Sequence, residues 1–413
     1  MPSIVRVATK RACSVIFLGL LHLATVGCDG SLPSASKSVR DSAGVTITES
    51  DSPRWRPVEA WSVDPEPVLD LATSGTGPSH EFFRVRGAVR LSDGTIAVAN
   101  SGSSEVRLFS ARGRFLDAVG RSGDGPGEFQ ILSRLVRYRA DSMVVFDRAR
   151  GRVTVLSSDL THSREFVRPL TKEVHPFIDG SFAAVDDWPS VEYYEGQDEL
   201  IRTPVPIVRI SAVGELLDTL VTPLGNEEYM VMGEYGASSA LPLFGKELQV
   251  SAFRSQLYIG SSEHLGFEVF SSEGQLLRSA RAPGYDLRLS PTDVERERKA
   301  RLGGGASRSS QLRDIVSRLP TPEARPASSD LKIDELGFVW IAEFKGWSER
   351  GEPIDWEVFA TDGEWLGTVQ VPARFTVFEF GIDYVLGLRL DDDDVEHVQI
   401  LRLMRGDDPA RNP

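Results

Sequence analysis

Two stretches set the strictest condition on how this chain folds: "SGTGPSHEF" at 74–82 and "SGDGPGEF" at 122–129. Each is followed by the same succession of short apolar–polar alternations, broken at turn-forming residues: "GAVRLSDGTIAVANSGSSEVRLFSARGRFLDAVG" (87–120) and "SRLVRYRADSMVVFDRARGRVTVLSSDLTHSREF" (133–166). That pattern predicts four strands per copy. Ser74 to Ser122 is a spacing of 48 residues and Ile96 to Met143 one of 47, so loop and strands recur together. A unit this small cannot bury both faces of its own sheet, and copies must stack to form a core.

Further copies keep the strands without the glycine loop. They are "DGSFAAVDD" (179–187) with "PIVRISAVGELLDTLV" (206–221), "SQLYIGSS" (255–262) with "FEVFSSEGQLLRSARAP" (267–283), and "LGFVWIAEF" (336–344) with "WEVFATDGEWLGTVQVP" (356–372). The sixth, "DYVLGLRLDDDDVEHVQILRL" (383–403), stops short, and "PVLDLA" (67–72) is expected to supply its outer strand. The predicted class is all-β: a six-bladed β-propeller over 53–406 with four-stranded blades. Between blades 4 and 5, within 288–328, a small helical hairpin is expected. Ser290, Pro291 and Asp293 read as a helix start, "GGG" at 303–305 as its end, and Leu312, Ile315, Val316 and Leu319 as the apolar stripe of a second helix packed on the propeller.

The loop "GRSGDGPGEF" and the run "VANSGSSEVRLFSARGRFL" resemble the NHL repeat, with its aspartate or asparagine after the second strand and its Arg-Val-x-x-Phe-like third strand. Over about 44–405 the chain is similar to the six-bladed propeller lipoproteins of environmental bacteria. That resemblance implies an envelope protein, in a group whose members mostly have no assigned activity.

The amino end is consistent with export. Basic Arg6, Lys10 and Arg11 precede the apolar run "CSVIFLGLLHLA" (13–24), the layout of a signal peptide over 1–27. Gly27-Cys28 and the Ser-rich residues after it resemble a lipobox, in which Cys28 is lipidated; Thr25 stands where leucine is usual, and ordinary cleavage near 24–27 is the alternative. Cys13 and Cys28 are the only cysteines, so removal of the signal leaves one thiol and no internal disulfide. Residues 28–52 read as a flexible tether and 407–413 as a disordered tail. A net charge of −14 repels phosphate backbones and argues against nucleic-acid binding, leaving the membrane, through Cys28, and a protein or carbohydrate as expected partners.

Candidate chemistry is sparse. The glycine run lacks the lysine and the helix of a phosphate loop and reads as an inter-blade turn, with Phe82 and Phe129 anchoring the crossing. His80-Glu81 lacks the second histidine of a zinc-protease motif, since Arg84 occupies that place, and no G-x-S-x-G elbow occurs. "DDDD" (391–394) reads as a solvated turn, His175 and His264 as isolated, and Trp340, Trp347, Trp356 and Trp365 as blade core. One set invites a metal reading: Asn100, Asp147, Asp186, Ser261 and Glu343 end the second strands of successive blades and would share one face. Such oxygen donors suit Ca2+ or another hard divalent cation, in the manner of gluconolactonase-type propellers. The competing reading makes them loop caps, or partners of arginines such as Arg107 and Arg152.

No catalytic set is assigned and no cofactor is required. The expected function is a lipid-anchored binding or scaffold module at the cell envelope, with loops 187–203 and 222–246 and the helical hairpin as its partner surface. The alternative is a metal-dependent hydrolase or lyase of the gluconolactonase/NHL-propeller type.

Overall fold

The computed structural model describes residues 37–186, 196–233, 236–303 and 310–406. The expected signal peptide over 1–27, Cys28 and the expected tail from 407 lie outside the described residues. A hairpin comes first, β1 (Lys37–Ser42) and β2 (Val45–Ser50), then β3 (Ser62–Asp70). The first repeat forms one antiparallel sheet of β4 (Val85–Arg90), β5 (Ile96–Asn100), β6 (Glu105–Phe109) and β7 (Phe115–Val119). The second forms another, of β8 (Leu132–Arg137), β9 (Met143–Asp147), β10 (Arg152–Leu156) and β11 (His162–Val167).

The third region comprises β12 (Thr171–Pro176), β13 (Phe182–Asp186), β14 (Glu199–Pro204), β15 (Ile207–Ile210), β16 (Leu216–Val221), β17 (Leu224–Gly233) and β18 (Gly236–Ala240). Strands β12, β13, β15 and β16 continue the repeat, whereas β14, β17 and β18 leave it to form a separate three-stranded sheet. Next come β19 (Gln249–Phe253), β20 (Gln256–Gly260), β21 (Gly266–Ser271) and β22 (Leu276–Arg281), followed by helices α1 (Pro291–Leu302) and α2 (Ser310–Arg318). The fifth sheet is β23 (Asp330–Ile333), β24 (Val339–Ala342), β25 (Ile354–Phe359) and β26 (Trp365–Val371). The last holds β27 (Phe375–Phe380), β28 (Tyr384–Leu390) and β29 (Glu396–Met404), and β3 completes it, with Gln399 opposite Asp70 and Leu403 opposite Val63.

Burial follows the strand order. Middle strands such as β5 (IAVAN), β9 (MVVFD) and β10 (RVTVL) are buried throughout, because both sheet faces are covered by neighbouring sheets; continuous apolar runs are the usual result. Register is set at the last hairpin of four repeats, where Gly113, Gly214, Gly274 and Gly363 adopt φ of 79°, 87°, 80° and 90°; in the second repeat Leu160 takes the matching place at φ 63°. That left-handed conformation is open to glycine without steric cost.

The apolar clusters run in a circle. Leu132 and Leu135 pack against Val89 and Val106, Phe182 against Val153, and Val250 against Val185. Val339 then packs against Phe267, and Trp340 against Phe380, ring to ring at 3.9 Å. Leu386 and Ile400 return to Ile96 and Phe109 of the first sheet. Sheets stacked face to face, each joined to the next and the last to the first, make this chain a β-propeller.

Three expectations change. Residues 37–50, assigned to the tether, form the β1–β2 hairpin, and β2 adds in parallel to β22, with Thr46 opposite Arg278 and Thr48 opposite Ala280. The pairing satisfies the backbone of an outer strand that would otherwise be an open edge. Part of the 187–203 and 222–246 regions, read as loops, is the sheet β14–β17–β18. The α1 start is as read: Ser290 Oγ accepts from the Asp293 amide at 3.2 Å, and Asp293 Oδ2 accepts from the Ser290 amide at 3.0 Å. The apolar stripe of α2 meets a different surface from the one expected, since Leu319 and Ile315 join Tyr229, Val231, Phe244 and Val294. Helices and inserted sheet therefore form one added layer, tied further by Arg318 donating to Asp198 at 2.8 Å.

Candidate functional site

The two glycine loops are held by one repeated device. Phe82 and Phe129 at their ends are buried in the core. Arg107 on β6 donates to the carbonyls of Pro78, Ser79 and Glu81 at 3.0, 3.1 and 2.7 Å. Arg152, at the matching place on β10, donates to those of Asp124, Gly125 and Glu128 at 2.6, 2.8 and 3.1 Å. A guanidinium suits this task because its donors lie in one rigid plane. The amides leaving each loop are taken from the other side. Asn100 Oδ1 accepts from Phe83 N at 2.8 Å; Asp147 accepts from Gln130, Ile131 and Ala149 at 2.7, 3.1 and 3.0 Å.

The remaining second-strand residues are also engaged within their own surroundings. Asp186 pairs with Arg168 at 2.9 Å, the Ser261 carbonyl accepts from Arg202 at 2.9 Å, and Glu343 accepts from the Asp355 amide at 2.9 Å and meets Lys345 at 2.8 Å. Among the described residues no three carboxylate, histidine or cysteine side chains converge as metal ligands. Of the tryptophans, Trp340 and Trp356 are core, and Trp365 is buried with its Nε1 donating to Glu357 at 2.8 Å. Trp347 is 38 % exposed, with Arg350 stacked on its ring.

Charge collects instead along the first strands of the sheets, where sequence reading singled out only His175. Arg134 of β8 meets Glu173 of β12 at 2.5 Å, and Glu173 lies 3.4 Å from His175 Nε2. Burial opposes charge on Glu173, but His175 and Arg134 outweigh it and hold the carboxyl low. Burial, reinforced by Arg134, lowers His175, so its imidazole is neutral. At the far end of the same strands, Arg137 of β8 reaches Glu379 of β27 at 2.9 Å and Glu335, just after β23, at 3.2 Å; it also donates to the Arg90 carbonyl at the end of β4. Burial pushes Glu379 up, and Tyr384 donates to it. Four sheets thus converge on one guanidinium.

The opposite end is where the first strands begin. There the sheet registers slip at Val85/Gly87, Leu132/Arg134 and Thr171/Glu173, so that Arg86, Ser133 and Lys172 are extra residues of aligned bulges. Beside the third bulge is a cavity of about 60 Å³ between β12, the end of β13 and the inserted sheet; Lys172, Glu173, Asp186, Thr203, Asn226 and Glu228 supply its polar lining. Asp186 is the one second-strand candidate that borders it. Lys172 and Asn226 carried no sequence signal, because a bulge and a distant sheet bring them together.

Neither a protein-family model nor the sequence of a curated protein matches the chain. Solved structures of similar shape exist at low identity. A putative exported protein of Bacteroides fragilis is 14 % identical with a TM-score of 0.46, over 83 % of this chain and 99 % of its own. A DUF4221 family member from Bacteroides vulgatus is 9 % identical with a TM-score of 0.49, over 84 % and 99 %. Regucalcin, a calcium-binding protein of Agrobacterium tumefaciens, is 10 % identical with a TM-score of 0.40, over 83 % and 96 %. Among the described residues no helix is long and apolar enough to cross a membrane.

Proposed function

We propose that this chain is an exported, lipid-anchored six-bladed propeller that acts as a binding module at the cell envelope, held to the membrane through Cys28 and presenting its added layer to a protein or carbohydrate partner. The observation that carries the reading is the union of β14–β17–β18 with α1 and α2 around Tyr229, Phe244, Val294 and Leu319. Repeat sheets need only one another for a core, so a separate apolar cluster that welds two insertions far apart in sequence is material spent on a surface. The buried Glu297 of α1 supports it, taking the Ser348 amide at 3.0 Å and fixing the layer to the fifth sheet. The acyl chains of a modified Cys28 would contribute about 0.8 kcal/mol per buried methylene, enough with several chains for stable anchoring.

Fractionation of cells expressing the wild type and Cys28→Ser tests the anchor: the wild type partitions with membranes and the variant is released. Membrane association unchanged in the variant overturns it. Metal analysis of the purified chain beside Asp147→Ala and Glu343→Ala tests the module reading. Stoichiometric metal lost in the variants would favour the hydrolase or lyase alternative over the module reading.

A further inference from the structure

We propose that the cavity beside the third bulge binds a small organic carboxylate of about four to six non-hydrogen atoms, either free or as the acidic end of a larger molecule. The inference deepens the binding-module reading and rests on it for biological context, but not on the anchor.

The size follows from the space. The cavity measures about 60 Å³, and a water needs roughly 10–15 Å³ of such volume, so about four to six non-hydrogen atoms fit. The charge follows from the lining. Glu173 is already neutralised by Arg134 at 2.5 Å and Asp186 by Arg168 at 2.9 Å, and Glu228, the third carboxylate of the lining, has an interaction of its own. Lys172 has no ion pair or hydrogen bond among the described residues; Glu247, the other acid that acts on it, is shifted by burial toward its neutral form. Lys172 is therefore the charged group of the lining that has neither a hydrogen bond nor an ion pair among the described residues.

The donors agree with it. Asn226 Oδ1 is occupied by the Leu248 amide at 2.9 Å, which fixes the amide group and leaves its Nδ2 donors unused. The Thr203 hydroxyl is likewise without a partner among the described residues. An ammonium, an amide and a hydroxyl without acceptors border one space, and a carboxylate supplies acceptors to all three. Val185, Val205 and Leu248 provide an apolar wall for a short carbon chain. A free phosphate would leave that wall uncovered, and a cation would meet the one unpaired ammonium.

The test is ligand-observed NMR on the full purified chain, titrated with lactate and propionate and, in parallel, with lactamide, propanol and ethanolamine. Saturable binding of the carboxylates is expected, with the amide and alcohol at least tenfold weaker. Lys172→Met should weaken lactate tenfold or more, and Asn226→Asp, which keeps the acceptor for Leu248 but removes the donors, by a similar factor. Circular dichroism of each variant establishes that it is folded; if Lys172→Met does not fold, Thr203→Val carries the test, with an expected loss of about threefold or more. A peptide whose only carboxylate is its C-terminus then separates the two sources, since only an opening to solvent admits it. No saturable carboxylate binding, equal binding of the amide, tighter binding of ethanolamine, or folded variants with unchanged affinity would each overturn the proposal.

Discussion

Replacing Asp147 with alanine separates a structural from a metal-binding role more sharply than any other change. The carboxylate is 1 % exposed and accepts three backbone amides, from Gln130, Ile131 and Ala149. A hydrogen bond to a charged group contributes about 1.5–3 kcal/mol, and a buried donor left without an acceptor costs about 1–3 kcal/mol. Three such bonds on one group are not additive, and part of the loop can reach water, so the net loss should be about 3–5 kcal/mol. At roughly 2.1 cal/mol/K per residue, a folded body of roughly 370 residues has an unfolding entropy near 0.8 kcal/mol/K, and the melting temperature should fall by about 5 °C. Differential scanning calorimetry in calcium and in EDTA reads it. The loop-cap account requires the same shift in both buffers and no effect of EDTA on the wild type. A wild type that drops to the level of the variant on chelation, and recovers with calcium, would refute it.

Two other changes follow from the same geometry. Arg152→Met frees the carbonyls of Asp124, Gly125 and Glu128 and should cost about 3 kcal/mol, with new proteolytic cleavage in 122–129 detected by mass spectrometry. For Glu357, burial raises the carboxyl from its ordinary 4.5 to about 7 against hydrogen bonds from Trp365 and Thr368. The native state then holds a proton that the unfolded chain releases, so stability is fully present below pH 4.5 and falls as pH rises to 7, by about 3 kcal/mol from this group. Glu357→Gln should flatten that slope in denaturant titrations at several pH values; an unchanged slope would exclude the residue as its source.

The repeat was legible because its signals are local. Turn glycines at 94, 113, 274 and 363, the anchors Phe82 and Phe129, and the capping box at Ser290 each act within a few residues of themselves. The joining of 67–72 to the last sheet was legible as well, since a sheet short of one strand has to be completed by something. What depends on distant partners was not. The polar β1–β2 hairpin reads as tether because its pairing with β22 lies more than two hundred residues away. Strand β14 has little apolar alternation, since it belongs to the inserted sheet and is exposed or half-buried along its length rather than packed in the ring. The positions of Asn100 and Asp147 could be read, and loop capping was one of the readings they allowed; the particular amides they accept from could not be read. Nor could Arg137, whose partners come from three other sheets and exist only once the circle closes.

Ring closure by β3 carries everything built on the shared axis, and a disulfide across its seam tests that directly. Val63 and Leu403 face each other in the β3–β29 pair. The double variant Val63→Cys/Leu403→Cys, in the Cys28→Ser background, should oxidise within one chain, remain monomeric on a non-reducing gel and melt higher than its reduced form. Disulfide-linked dimers, or thiols that stay free under oxidation, would show that the first strand does not complete the last sheet of its own chain.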